Sequence, residues 1–196
     1  MADLRIATAD EAADVGRIFA AGFSDDPVFT WVFEPSARDL KLRTFFGFLA
    51  REALVPQGRT YLAARCAAAW EPPDAPDWPD ERGERFSAEL QAGCSPAELE
   101  RLAVLSNAVD SHHPPGSAWH LAVFATEPAG RAQGRGTAVL QQSLRVVDET
   151  GLPAYLESTN PRNVSLYRRH GFEETGQIDL AGGPSLTAML RPGHAG

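Results

Sequence analysis

The segment from Trp119 to Thr150 constrains the fold more than any other part of this 196-residue sequence. Trp119 to Ala125 is an almost continuous apolar run of strand length, which is typical of a buried strand. A glycine-rich loop, residues 131–137, follows it directly, and apolar residues then recur at helical spacing. These are Val139, Leu140, Leu144 and Val147. A strand, a loop and a helix in this order predict a unit of an α/β or α+β sheet.

Similar patterns divide the rest of the chain into strands and helices. Strands are predicted at Leu4–Thr8, Thr60–Arg65, Cys66–Trp70, Ala154–Ser158, Glu173–Leu180 and Leu186–Leu190. Helices are predicted at 10–22 with Asp10 as cap, at 37–54, at 81–92 and 96–110, at 137–150, and from a cap at Asn160 to Gly171. Four prolines between Glu71 and Asp80 mark a loop. The chain is therefore expected to form one domain with a helical insertion at about 81–110.

Composition narrows the class of protein and of partner. The sequence has 18 basic and 26 acidic residues, a formal charge of −8, which argues against a nucleic-acid-binding surface and suits a cationic partner. Its two cysteines, Cys66 and Cys94, form no CxxC pair. No basic-then-apolar leader and no run of ~18 apolar residues are visible. A cytoplasmic domain without a membrane anchor is expected, either monomeric or homodimeric.

The loop between the strand and the helix carries the chemical signal. Gly134 and Gly136 let backbone N–H groups turn toward one point, and the helix N-terminus adds its positive dipole end, so the loop can hold a phosphate. The Gly-Lys-Ser/Thr of a P-loop is absent, and Val139 occupies the sixth position where a dinucleotide loop needs glycine. An ordinary structural loop is the alternative.

The pattern Arg131-x-x-Gly134-x-Gly136 resembles the acyl-CoA pyrophosphate loop of the GNAT N-acetyltransferases. The resemblance extends from residue 119 to residue 190, and Leu156-Glu157, Pro161-Arg162-Asn163 and Tyr167 are most similar to the puromycin N-acetyltransferases. It implies a mixed central sheet of six to seven strands with flanking helices and a helical insertion before the central strand. It also implies acetyl-CoA as cofactor and acetyl transfer to a primary amine by direct attack in a ternary complex.

The resemblance assigns roles to particular residues. Tyr167 is expected to be the general acid that protonates the departing CoA thiolate, and Glu157 a base acting through water, with a structural carboxylate as the alternative. Arg131 and Arg135 are expected to lie beside the phosphate. The cofactor is expected to contact Phe124, Ala125, Thr126, Arg131, Ala132, Gln133, Gly134, Arg135, Gly136, Thr137, Asn163, Leu166 and Tyr167.

The acceptor is less constrained by the sequence. An aminonucleoside-type antibiotic is the favoured small-molecule amine, and the alternatives are a protein or peptide acceptor and a CoA-binding sensor without turnover. Predicted substrate residues are Asp26, Trp31, Glu34, Trp70 and Trp119, with Asp25 as a further candidate for amine recognition. His112, His113 and His120 lack zinc-ligand spacing and are interpreted as turn and pocket-edge residues, so no metal is predicted.

Overall fold

The structure is a computed structural model that describes residues 4–114 and 116–193. Its strands are β1 (Arg5–Ile6), β2 (Thr60–Ala63), β3 (Cys66–Glu71), β4 (Trp119–Thr126), β5 (Ala154–Ser158), β6 (Glu173–Asp179) and β7 (Ser185–Arg191). Its α-helices are α1 (Ala12–Gly22), α2 (Pro27–Val32), α3 (Arg38–Phe48), α4 (Asp80–Gln91), α5 (Pro96–Asp110), α6 (Arg135–Asp148) and α7 (Pro161–Arg168). The strands form one seven-stranded sheet in the order β1-β2-β3-β4-β5-β7-β6. This confirms the predicted mixed α/β sheet with flanking helices.

Helices cover both faces of the sheet because both faces are apolar. On one face, Val15, Ile18 and Phe19 of α1 join buried residues of α2, α3 and α5. On the other face, the predicted helical stripe of α6 packs against the sheet together with Tyr167 of α7. β3 is buried along almost its whole length, as expected of a central strand between two helical layers.

The sheet opens between β4 and β5. These two strands are parallel and pair at only two positions, Trp119 with Ala154 and His120 with Tyr155. Opposite β3, Val123 pairs with Ala69 while Leu121 pairs with Trp70, so Ala122 is an extra residue on β4. Such a bulge bends its strand and increases the local twist. Beyond His120, β4 stays paired with β3 but leaves β5, so its backbone groups on the edge facing β5 have no strand partner.

Several local predictions need correction. Asp10 does not cap the first long helix, because a 3₁₀ turn, Ala9–Glu11, precedes α1 and the Thr8 N–H donates to the Glu11 carboxylate at 3.0 Å. The helix predicted at 37–54 is α-helical only to Phe48 and continues as a π-helix, Leu49–Leu54. The helix α2 was not predicted from the sequence. Asp26 caps its N-terminus, where Oδ1 accepts the Val28 N–H at 2.9 Å.

The insertion forms the two predicted helices, α4 and α5, with Ser95 capping the second. It is attached to the body of the protein by Glu98, which is fully buried and accepts hydrogen bonds from Lys41 Nζ at 2.7 Å and the Glu34 N–H at 2.8 Å. The insertion is thus fixed over α2 and α3. None of the helices within residues 4–114 and 116–193 combines the length and the apolar character needed to cross a bilayer.

Candidate active site

Two cavities meet at the open edge between β4 and β5. The larger, of about 690 Å³, is walled mainly by aromatic rings, and we call it the aromatic cavity. The smaller, of about 440 Å³, is lined by the loop of residues 130–137 and the starts of α6 and α7, and we call it the loop cavity. Phe23, Phe124 and Asn163 line both cavities. A molecule in the loop cavity can therefore reach the aromatic cavity through the gap in the sheet.

The loop cavity is built around the N-terminus of α6. Gly134 precedes this helix with a φ of +71°, a left-handed conformation that favours glycine. Ala138 is the first residue of the helix whose N–H finds a helical acceptor, Gly134 O at 3.0 Å. The amides of Arg135, Gly136 and Thr137 lie before it and have no acceptor within the helix. Together with the helix dipole they form a site for an anion.

Gly136 lets the helix approach β4 closely. A Cβ at this position would lie 3.2 Å from Thr126 Oγ1 and 3.3 Å from Phe124 Cζ. Four arginines, Arg131, Arg135, Arg162 and Arg169, also line the loop cavity. Free amides, a close backbone approach and guanidinium groups fit the pyrophosphate of coenzyme A. Arg162 and Arg169 were not predicted as site residues, although Arg162 lies within the motif that carries the resemblance.

Arg131 lines the loop cavity, and its side chain is also hydrogen-bonded to the end of α1 and the residues after it. Its guanidinium donates to both oxygens of Asp25 at 2.7 Å and to Gly22 O at 2.8 Å. This hydrogen-bonded pair holds the pKa of Asp25 below its usual range. Arg131 therefore ties the loop to the end of α1 while it lines the cavity predicted to hold the phosphate. Asp25, a candidate for amine recognition, is occupied by the same contact.

The remaining predicted cofactor residues lie around the loop cavity. Ala125, Thr126, Ala132 and Leu166 line it, while Gln133 accepts a hydrogen bond from Arg135 Nε at 3.0 Å. Tyr167 lines the aromatic cavity. The structure thus brings the predicted strand, loop and α7 residues together along one continuous groove.

Aromatic side chains from four separate parts of the chain wall the aromatic cavity. Phe29 belongs to α2, Phe45 to α3, Trp78 to the proline-rich loop before the insertion, and Phe86 to α4 of the insertion. The ring centroids of Phe45 and Phe86 are 5.5 Å apart, and those of Trp78 and Phe86 are 5.7 Å apart. Such walls suit an apolar or ring-bearing molecule.

A charged cluster, Glu71, His120 and Glu157, lies on adjacent strands at the cavity. His120 Nδ1 is 3.1 Å from Glu71 Oε2, and His120 Nε2 is 2.9 Å from Glu157 Oε2. Because carboxylates only accept hydrogen bonds, both ring nitrogens must carry protons to satisfy them. Burial by itself lowers the pKa of His120, but the two carboxylates outweigh it and raise the pKa to about 9. At neutral pH the cluster is an imidazolium between two carboxylates.

One carboxylate oxygen of Glu157 has no hydrogen-bond partner among the described residues. The Glu157 side chain is only 7% exposed, and this oxygen, Oε1, is buried. A buried carboxylate oxygen in this state calls for a partner that the protein itself does not supply. Glu157 lines the aromatic cavity, so a bound ammonium group or water can be that partner. The cluster carries a net negative charge, which favours a cation.

Tyr167 lies on α7 and also lines the aromatic cavity. Its ring packs between Phe124 and Phe172, with centroids 6.3 Å and 6.0 Å away. Burial raises the pKa of Tyr167 well above its usual range, so the phenol keeps its proton. Within residues 4–114 and 116–193 its hydroxyl has no hydrogen-bond partner. It is therefore free to donate a proton to a group in the cavity.

Most of the predicted substrate residues lie outside the aromatic cavity in the structure. Trp70 is 1% exposed in the core beneath α6, and Trp119 is buried with Nε1 donating to Thr150 Oγ1 at 3.0 Å. Trp31 Nε1 donates to Gly182 O at 2.9 Å. Glu34 is exposed and lies 3.6 Å from Arg101. None of these four lines the aromatic cavity, because their side chains pack elsewhere in the core or point to solvent.

Asp26 lines the loop cavity, but its carboxylate oxygens are already hydrogen-bonded. Its Oδ1 caps α2, and its Oδ2 accepts the Thr159 hydroxyl at 2.6 Å. Burial raises the pKa of Asp26. This carboxyl therefore acts first in positioning α2 and the strand end at Thr159.

The histidines divide into two groups. His112 lies in the predicted turn, with Nδ1 2.7 Å from Ala108 O. His120 lies inside β4, with its side chain only 13% exposed, and the His113 ring packs on it at a centroid distance of 4.7 Å. Sequence reasoning missed Glu71 as a site residue. The available signal was a histidine and two glutamates within strands that are otherwise apolar.

A sheet that opens beside a helix N-terminus, with an anion site on one side and a phenol and a carboxylate on the other, defines an acyl-CoA-dependent acyltransferase. The chain belongs to the acetyltransferase (GNAT) family, whose family model matches residues 64–172. Members of this family take the acetyl group from acetyl-CoA, and the protein is an N-acetyltransferase.

Solved structures share the fold over nearly the whole chain. The histone acetyltransferase HPA2 and related acetyltransferase of Corynebacterium glutamicum is 23% identical, with a TM-score of 0.75 over 100% of this chain and 99% of that chain. The polyamine N-acetyltransferase of Drosophila melanogaster is 14% identical, with a TM-score of 0.62 over 95% and 97%. The arylalkylamine N-acetyltransferase 2 of Aedes aegypti is 10% identical, with a TM-score of 0.59 over 96% and 97%.

Proposed function

We propose that this enzyme acetylates the primary amine of a small molecule that carries an apolar or aromatic body. The observation that supports this most directly is the aromatic cavity, which is about 690 Å³ in volume and contains a buried carboxylate oxygen without a partner. Its volume lies within the range of small-molecule sites. The rings would hold the body of the acceptor while Glu157 holds its ammonium group.

The neighbours in fold are consistent with this class of acceptor. One forms N-acetylagmatine and another acts on arylalkylamines. The resemblance of residues 156–167 to the puromycin N-acetyltransferases suggests an aminonucleoside antibiotic as a specific candidate, since such a molecule combines a primary amine with aromatic rings. A folded protein or peptide is a less suitable acceptor, because the aromatic cavity has a small-molecule volume of about 690 Å³ and Trp78 and Phe86 are among its walls.

The residues of the loop cavity would hold the acetyl donor. The amides of Arg135, Gly136 and Thr137 would bind the pyrophosphate, and Arg162 and Arg169 would neutralise its charge. When bound, acetyl-CoA supplies an acetyl thioester. The unpaired edge of β4 beyond His120 would orient the pantetheine arm along the gap in the sheet, toward the aromatic cavity.

The reacting groups would then act in a ternary complex. Glu157 Oε1 would accept a hydrogen bond from the acceptor ammonium and remove its proton, directly or through a water molecule, so that the amine can attack. Glu71 and His120 would hold the Glu157 carboxylate in place through its other oxygen. Tyr167 would donate its phenolic proton to the departing sulfur.

The test is the release of free thiol from acetyl-CoA in the presence of an amine panel. The panel contains puromycin, phenylethylamine, agmatine and a lysine-containing histone-tail peptide. We expect release with the ring-bearing small amines and little with the peptide. Release with the peptide alone would favour the protein acceptor, and binding of coenzyme A without release for any amine would favour a sensor.

Tyr167→Phe tests the acid with the best acceptor from that panel. We expect kcat to fall by about 10²-fold or more, because proton donation of this kind contributes roughly 10²- to 10⁴-fold. The affinity for coenzyme A, measured by calorimetry, should remain within about 2-fold, since the ring is kept. An unchanged kcat would remove Tyr167 from this role.

A further inference from the structure

We propose that His113, His120 and Glu157 form a binding site for a divalent transition-metal ion of the Zn²⁺ class, and that this ion competes with the acceptor amine. The sequence predicts no metal, because His112, His113 and His120 lack a zinc-ligand spacing. The fold brings the three side chains together. Imidazole nitrogens and a carboxylate oxygen are ligands that Zn²⁺ accepts.

The distances support a common ligation point. One ligand atom from each of the three residues lies within 4.8 Å of the other two. A triangle with sides no longer than this has a point at most about 2.8 Å from all three corners. Zn–N and Zn–O bonds are about 2.0–2.2 Å. Shifts of less than about 1 Å, within reach of side-chain rotation, would complete three bonds.

Two further observations point to a cation. Glu157 Oε1 is a buried carboxylate oxygen without a partner, on a side chain that is 7% exposed. Glu71 holds His120 through Nδ1 at 3.1 Å, which turns Nε2 toward Glu157. A carboxylate that orients a histidine in this way is the usual second partner of a zinc-bound imidazole. Binding would replace the proton on His120 Nε2 by the ion and release that proton to solvent, and the two carboxylates would then balance the charge of the divalent ion.

The proposed ion would leave a coordination position open. Three protein ligands occupy three corners of a tetrahedron, and a water molecule or an amine can take the fourth. The His113 side chain is exposed, so the site is open to solvent on that side. In the second part of this proposal, which rests on the proposed function, the ion occupies the oxygen of Glu157 that receives the ammonium group. Bound Zn²⁺ and a bound acceptor would then exclude each other.

The experiment measures Zn²⁺ binding directly, by equilibrium dialysis in a chelator-buffered solution, on wild type, His113→Ala and His112→Ala. The two histidines are adjacent, and both are exposed. We expect one Zn²⁺ per wild-type chain, unchanged affinity in His112→Ala, and at least about 10-fold weaker binding in His113→Ala, because even outer-shell partners of a zinc site contribute 10- to 100-fold. Mg²⁺, which prefers oxygen ligands, should not compete.

The same variants separate binding from inhibition. With the best acceptor amine, Zn²⁺ should inhibit wild type competitively with the amine, and His113→Ala should keep wild-type activity while requiring at least about 10-fold more Zn²⁺ for inhibition. The proposed site would be overturned if no Zn²⁺ bound to wild type. It would also be overturned if wild type and His113→Ala bound Zn²⁺ equally, because the ion would then be held elsewhere, for example by Cys94 or a terminal histidine. Binding that depends on His113 without competitive inhibition would overturn only the competition. If no amine is acetylated at all, the dialysis result still decides the site.

Discussion

The two cavities of this enzyme are built in different ways. The loop cavity takes its donors mostly from consecutive residues, because the amides of residues 135–137 and the left-handed Gly134 belong to one loop and one helix start. The aromatic cavity takes its walls from α2, α3, the insertion, α7 and three strands, β4, β5 and β7. We expect the first cavity to recognise its ligand largely through the backbone and the second mainly through side chains.

This difference explains which part of the reaction is recognisable in the sequence. Backbone amides at a helix N-terminus require glycines at fixed spacing, so a short motif is sufficient to mark them. Aromatic walls require only that rings meet in space, and many arrangements along the chain can achieve this. The donor is therefore a property of the family, while the acceptor is a property of how this particular chain packs.

The largest expected effect separates the two carboxylates on His120. In Glu157→Gln we expect kcat to fall by about 10²- to 10⁴-fold, because the amide cannot take the proton of the ammonium group. Glu71→Gln is the matched control, since Glu71 contacts the other nitrogen of the same imidazole, and kcat should fall by less than about 10-fold. Steady-state kinetics with a saturating amine measures both. Equal losses would mean that both carboxylates only hold His120.

The next effect concerns the loop cavity. Gly136→Val places branched carbons where a single Cβ already lies 3.2 Å from Thr126 Oγ1. Overpacking of this kind costs roughly 1–3 kcal/mol, so coenzyme A should bind about 10- to 100-fold more weakly in calorimetry. Gly93→Ala is the control, because nothing lies within 4 Å of the added carbon there. Unchanged binding in Gly136→Val would place the pyrophosphate elsewhere.

A smaller effect tests the aromatic cavity. Phe86→Leu keeps an apolar side chain but removes the ring that packs against Phe45 and Trp78. Aromatic pairs contribute roughly 0.5–1.5 kcal/mol, so KM for a ring-bearing amine should rise about 3- to 10-fold. KM for acetyl-CoA and for a short aliphatic amine should not change. An equal rise for every amine would show a general disturbance of the cavity instead of ring recognition.

The smallest expected effect concerns the ion pair between Arg131 and Asp25. Arg131→Gln breaks a largely exposed ion pair with Asp25, so it should cost at most about 1 kcal/mol of unfolding free energy and weaken coenzyme A binding by less than about 5-fold. Because the pKa of Asp25 is lowered in the folded state, the pair stabilises the protein above the ordinary value of 3.8 and loses this effect as the pH falls through the lowered pKa.

Thermal unfolding of wild type and Arg131→Gln at several pH values measures this effect. The difference in Tm should be present at pH 7 and vanish in acid. A loss of coenzyme A affinity far above 5-fold would instead support the predicted contact between Arg131 and the phosphate.

The predictions from sequence succeeded where one residue or one local pattern decides the structure. The apolar run of β4, the stripe of α6 and the Asn160-Pro161 helix start all form at or near the predicted positions. The predictions failed where a local sequence pattern was compatible with more than one structure. The polar residues before α1 allow more than one cap, and the aromatic segment around Trp31 could equally have been an extended core segment. Trp70 and Trp119 are large and apolar, and nothing local decides whether such a residue lines a cavity or fills the core.

By itself the sequence predicted the mixed α/β fold and the donor loop, because period, glycine spacing and cap residues act over a few positions of the chain, and its resemblance to a family supplied the proposed roles of Tyr167 and Glu157. Only the tertiary structure decided that Arg131 is bound by Asp25, that His120 joins Glu71 to Glu157, and that His113 approaches them. Except for the contact between His113 and His120, these contacts join residues 37 to 106 positions apart in the sequence. Strand register and the divergence of β4 from β5 set such distances, and neither can be read from a local pattern.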